Sequence, residues 1–167
     1  YEDESKVFQT LNLLDKQRYH EDFVVLVNEL IRPDLFHVKK QMASSKEVID
    51  FLCDELISKN LADERYKEDV FKRESVSATS FVNGFAVPHS IEITSKESCI
   101  SIMILDKPVK WGDFEVKLVL LLAIRDTDSH LLKIFFDWLS SIVSDSNKFR
   151  QLLEVKNYQE FIQHVIE

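Results

Sequence analysis

The chain has 167 residues, 45% of them hydrophobic and 30% charged, with a formal net charge of -8. That length suits one well-cored domain plus an extension, and the composition excludes a disordered chain. The negative charge argues against nucleic acid as a direct ligand, since a phosphate backbone asks for a basic face, and two glycines and three prolines are too few for a many-turned all-β fold.

Residues 1 to 31 read as acidic and helical, with Phe23, Val24, Leu26, Val27, Leu30 and Ile31 forming one apolar face and Pro33 stopping the pattern. The chain opens on Tyr1 rather than Met, as expected of a piece excised from a longer polypeptide. Ser44-x-x-Glu47 is a capping box, followed by Val48, Phe51, Leu52 and Ile57 at helical spacing. Asp63 opens another helix carrying Tyr66, Val70 and Phe71, which ends near Arg73-Glu74. Thr79 to Val87 reads as a strand region, and Cys99 to Leu105 as a strand with Ile100, Ile102 and Ile104 on one face. Lys107-Pro108 and Trp111-Gly112-Asp113 punctuate a connection into Val116 to Ile124, a run apolar enough for a central strand covered on both faces. Asp128 or Ser129 can cap the next helix, where Leu131, Leu132, Phe135, Trp138, Leu139 and Ile142 make a wide apolar stripe. Two shorter helices follow, the last opening with Asn157-x-x-Glu160. Interleaved helices and strands predict an α/β fold with a mixed β-sheet flanked by helices, preceded by an N-terminal helical extension.

Cys53 and Cys99 lie in apolar periodic segments without CxxC spacing, so buried free thiols of a reducing cytosol are expected rather than a disulfide or a reactive thiol. The longest apolar run contains Lys117 and is too short to span a bilayer, so no membrane insertion is expected.

In Asn83-Gly84-Phe85-Ala86-Val87-Pro88-His89, Gly84 permits a bent or close backbone and Pro88 pushes Val87 into an extended conformation. A short buried strand therefore turns sharply and delivers His89 at its end. An imidazole titrates near neutral pH and can act as nucleophile or proton carrier. His130 falls in the first turn of a helix, where unpaired N–H groups favour an anion. Arg73 closes the helix before the strand region and offers a planar fork for phosphate oxygens. Converging, the three would suit a phosphoryl group moving on and off His89. Taken alone, a histidine is more often a surface or core residue, and Arg73 a solvated charge. Zinc on His89 and His130 would need a third ligand, and Asp126 and Asp128 have no standard spacing with both. His20, His37 and His164 read as surface residues, Trp111 and Trp138 as packing.

Arg73-Glu74, Thr79 and Asn83 to Ser90 together resemble the active-site signature of the fructose/mannitol-type enzyme IIA (EIIA) domains of the bacterial phosphoenolpyruvate-dependent sugar phosphotransferase system. The resemblance runs through the Ile100 to Leu105 strand, Pro108 to Gly112, the Val116 to Ile124 strand and His130-Leu131-Leu132, covering roughly residues 34 to 167. It implies a mixed sheet flanked by helices. It implies that His89 accepts a phosphoryl group from the phosphocarrier HPr and gives it to a cysteine of an EIIB domain, in cis or in trans. His130 then contacts the first histidine or its phosphoryl group, and Arg73 stabilises the phosphorylated state, with no cofactor or metal. Phe85 and Ser90 depart from the pattern, which more often has a smaller aliphatic and a glycine there. The segment Val27 to Phe36 is similar to the lead-in of EIIA domains at the C-terminus of BglG-type antiterminators and LicR/MtlR-type activators. It divides the chain into a helical lead-in over 1–33 and the domain over 34–167. Regulation of transcription according to sugar supply is the expected role, with relay to a sugar transporter and a binding module that kept the fold but lost transfer as the alternatives.

Overall fold

One five-stranded sheet with a hydrophobic layer on each face organises the chain, as described for residues 2–167 by a computed structural model. Helix α1 (Glu2–Val25) leads through a π-helical turn (Leu26–Leu30) directly into β1 (Ile31–Lys40). Helices α2 (Ser45–Ser58) and α3 (Glu64–Val76) follow, then the short strands β2 (Ser80–Phe81) and β3 (Phe85–Ala86). The long strands β4 (Cys99–Trp111) and β5 (Phe114–Ala123) come next. A 3-10 turn (Asp126–Asp128) then opens into α4 (His130–Val143), with α5 (Ser146–Leu153) and α6 (Tyr158–Ile166) closing the chain.

The strand order is β1-β4-β5-β3-β2. β1 runs parallel to β4 and β3 parallel to β5, whereas β4–β5 and β2–β3 are antiparallel, so the sheet is mixed as expected. β5 is central, and its residues divide between two layers: Leu118, Leu120 and Leu122 face the turn after α1 together with α4, α5 and α6, while Val119, Leu121 and Ala123 face α2 and α3. This double burial explains the run of apolar residues without polar alternation.

Three of the predicted helix openings are capped, one of them by Asp63 accepting from the Tyr66 N–H at 3.1 Å. Ser44 accepts from the Glu47 N–H at 3.2 Å while Glu47 reaches back to the Ala43 N–H at 2.7 Å, and Asn157 accepts from the Glu160 N–H at 2.9 Å. At α4 the expected cap does not form. Ser129 is already helical in backbone and makes no capping bond, because the preceding 3-10 turn continues straight into the helix; Asp128 instead accepts from the Ser98 hydroxyl at 2.5 Å.

The first sequence region also departs from expectation. Ile31 belongs to a strand, and Pro33 lies inside β1 rather than merely ending a helix. β1 is an edge strand, where a missing N–H can face solvent, and its ladder shifts register on both sides of Phe36–His37, which hides any alternation. The expected division at 33/34 falls within this strand. His37 is no surface residue: its Nε2 lies 2.9 Å from Glu55 Oε1, and its ring packs edge-on against Phe51. Pro108 likewise sits within β4, at a bulge where the four residues between Ile104 and Val109 oppose the single Lys117 between Leu118 and Val116.

Both thiols are buried in the layer under α2 and α3, and that burial pushes each up to about 12. Ellman's reagent at neutral pH is therefore expected to titrate neither in the folded protein and both after unfolding, since the thiolate is the reactive form. Fast reaction of either thiol in the native protein would contradict this packing.

Candidate functional site

The backbone that presents His89 is built by the β2–β3 hairpin. Gly84, at φ +99°, closes the turn with its N–H on the Phe81 carbonyl at 3.0 Å. Its own carbonyl accepts from both Lys117 and Leu118, at 2.9 and 3.3 Å, which locks the hairpin to β5. Val87 N–H donates to Thr79 O at 3.1 Å, and Leu122 N–H to Pro88 O at 3.0 Å, so the chain is still held by its neighbours where it reaches His89. His89 bridges in parallel to Leu122 near the C-terminal end of the central strand, the usual position for a site in an α/β sheet.

His89 is half-buried, and its Nδ1 lies 2.9 Å from the Val87 carbonyl oxygen. A carbonyl can only accept, so Nδ1 carries the hydrogen and, in the neutral ring, Nε2 keeps its lone pair. A pocket of about 200 Å³ opens beside the ring, lined by His89, Ser90, Leu122, Ile124, Leu132 and Phe136. It has room for a phosphoryl group but falls short of the roughly 300 Å³ at which small-molecule pockets begin. The lining is apolar apart from His89 and Ser90. Phe136 is 42% exposed and Ile91, just past Ser90, is 67% exposed, so the histidine stands within an accessible apolar rim.

Of the three predicted site residues, His89 alone lines this pocket. His130 is the first residue of α4 with its side chain 58% exposed, and its Nε2 lies 3.9 Å from Asp22 Oδ1 on α1. From α4 it is Leu132 and Phe136 that face His89. Arg73 is in the last turn of α3, where its guanidinium donates to the Ser77 carbonyl at 2.7 Å.

Helix α3 fastens the site from the other side through Tyr66, Asp69 and Glu74, of which only Glu74 belongs to the quoted signature. Tyr66 donates its hydroxyl to Leu122 O at 2.6 Å, beneath the strand end that bridges His89. Glu74 accepts from the Thr79 N–H at 2.8 Å, from the Thr79 hydroxyl at 2.7 Å and from the Trp111 indole at 2.6 Å. It thereby ties the start of the hairpin to the end of β4. Asp69 accepts the Ser90 hydroxyl and the N–H groups of Ile91 and Glu92 at 2.8 Å and of Ile93 at 3.3 Å. Asp69 precedes Arg73 by one helical turn, a spacing that reads from sequence as an ordinary surface pair. Nothing in the sequence signals its bonds to residues 21 to 24 positions away.

The Ser90 hydroxyl, then the Glu92, Ile91 and Ile93 amides, hold the Asp69 carboxyl down to about 2 against the opposing cost of burial. Unfolded, the group titrates near pH 4, so the stabilisation is complete above that pH and is lost as pH falls toward 2. With an allowance for solvent screening, about 1–2 kcal/mol rides on it. Urea unfolding at successive pH values is expected to show a shallower loss between pH 4 and 2 in Asp69→Asn than in the native chain. Parallel curves would contradict the assignment.

Residues 29–167 match the family model described as "Phosphoenolpyruvate-dependent sugar phosphotransferase system, EIIA 2". The chain is 30% identical over 133 residues to the "Probable licABCH operon regulator" of Bacillus subtilis, covering 80% of this chain and 21% of that protein. It is 29% identical over 139 residues to the mannitol-specific phosphotransferase enzyme IIA component of Halalkalibacterium halodurans, covering 80% of this chain and 92% of that one. It thus spans about a fifth of the regulator and nearly all of the free-standing component. Among solved structures, the Escherichia coli complex of enzyme IIA mannitol with phosphorylated enzyme IIB mannitol aligns with a TM-score of 0.71 at 17% identity, covering 81% of this chain and 96% of the matched chain. The crystal structure of IIA mannitol from the same organism aligns with a TM-score of 0.69. The match across β1 to α6, on a mixed sheet of the same architecture, makes this chain a member of the type 2 EIIA family of that phosphotransferase system.

Proposed function

We propose that His89 takes a phosphoryl group from HPr and passes it to a cysteine of an EIIB domain, and that this carrier works within a sugar-responsive transcriptional regulator. The carrying observation is the bond from His89 Nδ1 to Val87 O, which leaves the Nε2 lone pair free beside the pocket. As the N–P bond of the donor breaks, a bond from Nε2 to phosphorus forms. Nδ1 keeps its proton, and the positive charge gained by the ring is offset at the Val87 carbonyl. The donor imidazole leaves neutral, so no proton has to move. The apolar rim of Leu132, Phe136 and Ile91 suits docking of a small carrier protein around the histidine.

In this reading His130 and Arg73 turn onto the phosphoryl group once it arrives. Each is now held by one contact that a rotamer change releases, His130 by Asp22 and Arg73 by the Ser77 carbonyl. The regulatory role rests on the licABCH regulator and on the lead-in before residue 34. The 29% identity to the mannitol component favours, as a second reading, relay to a transporter.

Incubation with phosphoenolpyruvate, enzyme I and HPr is expected to give an acid-labile, base-stable phosphate on the chain. No label on the native protein would favour an inert module. The full-length reading frame separates the two roles: upstream nucleic-acid-binding and regulatory domains mean regulation, and a transporter or a stand-alone chain means relay.

A further inference from the structure

A carboxylate that is only 7% exposed is kept in a fold by its partners, and every partner of Asp69 outside its own helix lies on the segment immediately after His89. Four donors converge on one oxygen, Oδ2: the Ser90 hydroxyl and three successive main-chain N–H groups. The Ser90 hydroxyl oxygen also accepts from the Ile93 N–H at 3.3 Å, so the turn is closed on itself as well as on α3. Residues 90–98 belong to no helix or strand, and nothing regular holds them. His89 therefore stands between two fixed points. On one side, Pro88 O is held by the Leu122 N–H of the central strand. On the other, the main chain from Ser90 onward is held by Asp69.

The geometry points to Asp69, acting through Ser90, as the positioning residue for phosphoryl transfer on His89. Charge-assisted bonds of this kind are the stronger class, and they fix the main-chain direction on leaving the histidine. With that direction fixed, the ring keeps Nδ1 on Val87 O and Nε2 toward the pocket. Released, the ring can turn, and both nitrogens exchange roles. Asp69 also belongs to the helix that carries Arg73 one turn further on, so the same bonds set the distance between the nucleophile's loop and the guanidinium's helix. Serine after the histidine, where glycine is common in the family, is part of the device because only a hydroxyl can join the carboxylate. The inference rests on the proposed role of His89 as acceptor.

The test compares the native chain with Asp69→Ala, Asp69→Asn and Ser90→Ala, each charged by phosphoenolpyruvate, enzyme I and varied HPr. Asp69→Ala is expected to lower the rate of acceptance at saturating HPr by about 10- to 100-fold, the effect of an ångström-scale misplacement, with half-saturation unchanged. Asp69→Asn keeps an acceptor oxygen for the N–H groups and is expected to recover much of that loss, while Ser90→Ala should lie between it and the native chain. Ring nitrogen-15 spectra of the unphosphorylated proteins supply the second readout. The native His89 should hold a hydrogen on Nδ1, and Asp69→Ala should mix the two tautomers. Native rates with an unmixed tautomer in a folded Asp69→Ala chain would reduce Asp69 to a structural clamp and overturn the inference. Should the alanine variant not fold, the asparagine and Ser90 variants decide it by the same two readouts. Label surviving His89→Ala would instead remove the acceptor assignment, and the tautomer spectra would still judge the positioning.

Discussion

Replacing His89 by alanine is expected to abolish phosphorylation by HPr, a loss of at least about 10³-fold that leaves only background, because the proposed transfer uses the lone pair of its Nε2. The folded state should survive, since the ring hydrogen-bonds to the Val87 carbonyl and the side chain is only partly buried. His130→Ala and Arg73→Ala are expected to behave differently, each lowering the rate by about 10- to 100-fold through lost charge stabilisation and orientation. Both should leave the melting curve near native, because His130 holds one long contact and Arg73 one carbonyl. The graded pattern is informative. Equal and complete losses at all three positions would point to a damaged fold, and native labelling kinetics in Arg73→Ala would remove that residue from the site.

Glu74→Ala carries the largest expected effect on stability. Its carboxylate accepts from Thr79 twice and from the Trp111 indole once, and Trp111 and Thr79 are both buried. Truncation strands three donors in the layer between α3 and the sheet, with an expected cost of about 3 kcal/mol in urea unfolding. Glu74→Gln keeps one acceptor oxygen and should cost roughly half as much. A loss below about 0.5 kcal/mol for the alanine variant would show that water replaces the carboxylate. Because these bonds join the start of the hairpin to the end of β4, the damaged variant should also accept phosphate more slowly than its stability alone explains.

The contrast between Asp69 and His89 shows what can be read from sequence and what cannot. The central strand, the capped helices α2 and α6, and the histidine after Pro88 rest on local rules of periodicity, capping side chains and proline geometry, and they lie where those rules put them. β1 escaped because an edge strand with two register shifts and an internal proline has no period to detect. Helix α4 begins at His130 as expected, but a 3-10 turn takes the place of the side-chain cap. His37 was hidden for another reason: its partner Glu55 lies 18 residues away, across the sheet-to-helix layer. At the site, the proposed acceptor histidine is legible, while the supports Tyr66 and Asp69 are not. Tyr66 and Asp69 act largely through bonds to distant main chain, Glu74 through Thr79 five residues on and the Trp111 indole, and a lone Tyr or Asp on a helix announces no such partner. His130 and Arg73 were legible as residue types. Their present contacts with Asp22 and Ser77 depend on α1 and on the end of α3, which spacing does not describe.

The most direct measurement locates the phosphate. After charging with phosphoenolpyruvate, enzyme I and HPr, nitrogen-15 and phosphorus-31 spectra of the protein should show a single phosphohistidine at His89, bonded through Nε2, with Nδ1 still protonated. Phosphorus on Nδ1, or on any residue other than His89, would contradict the account, since Val87 O could then not be what aims the ring.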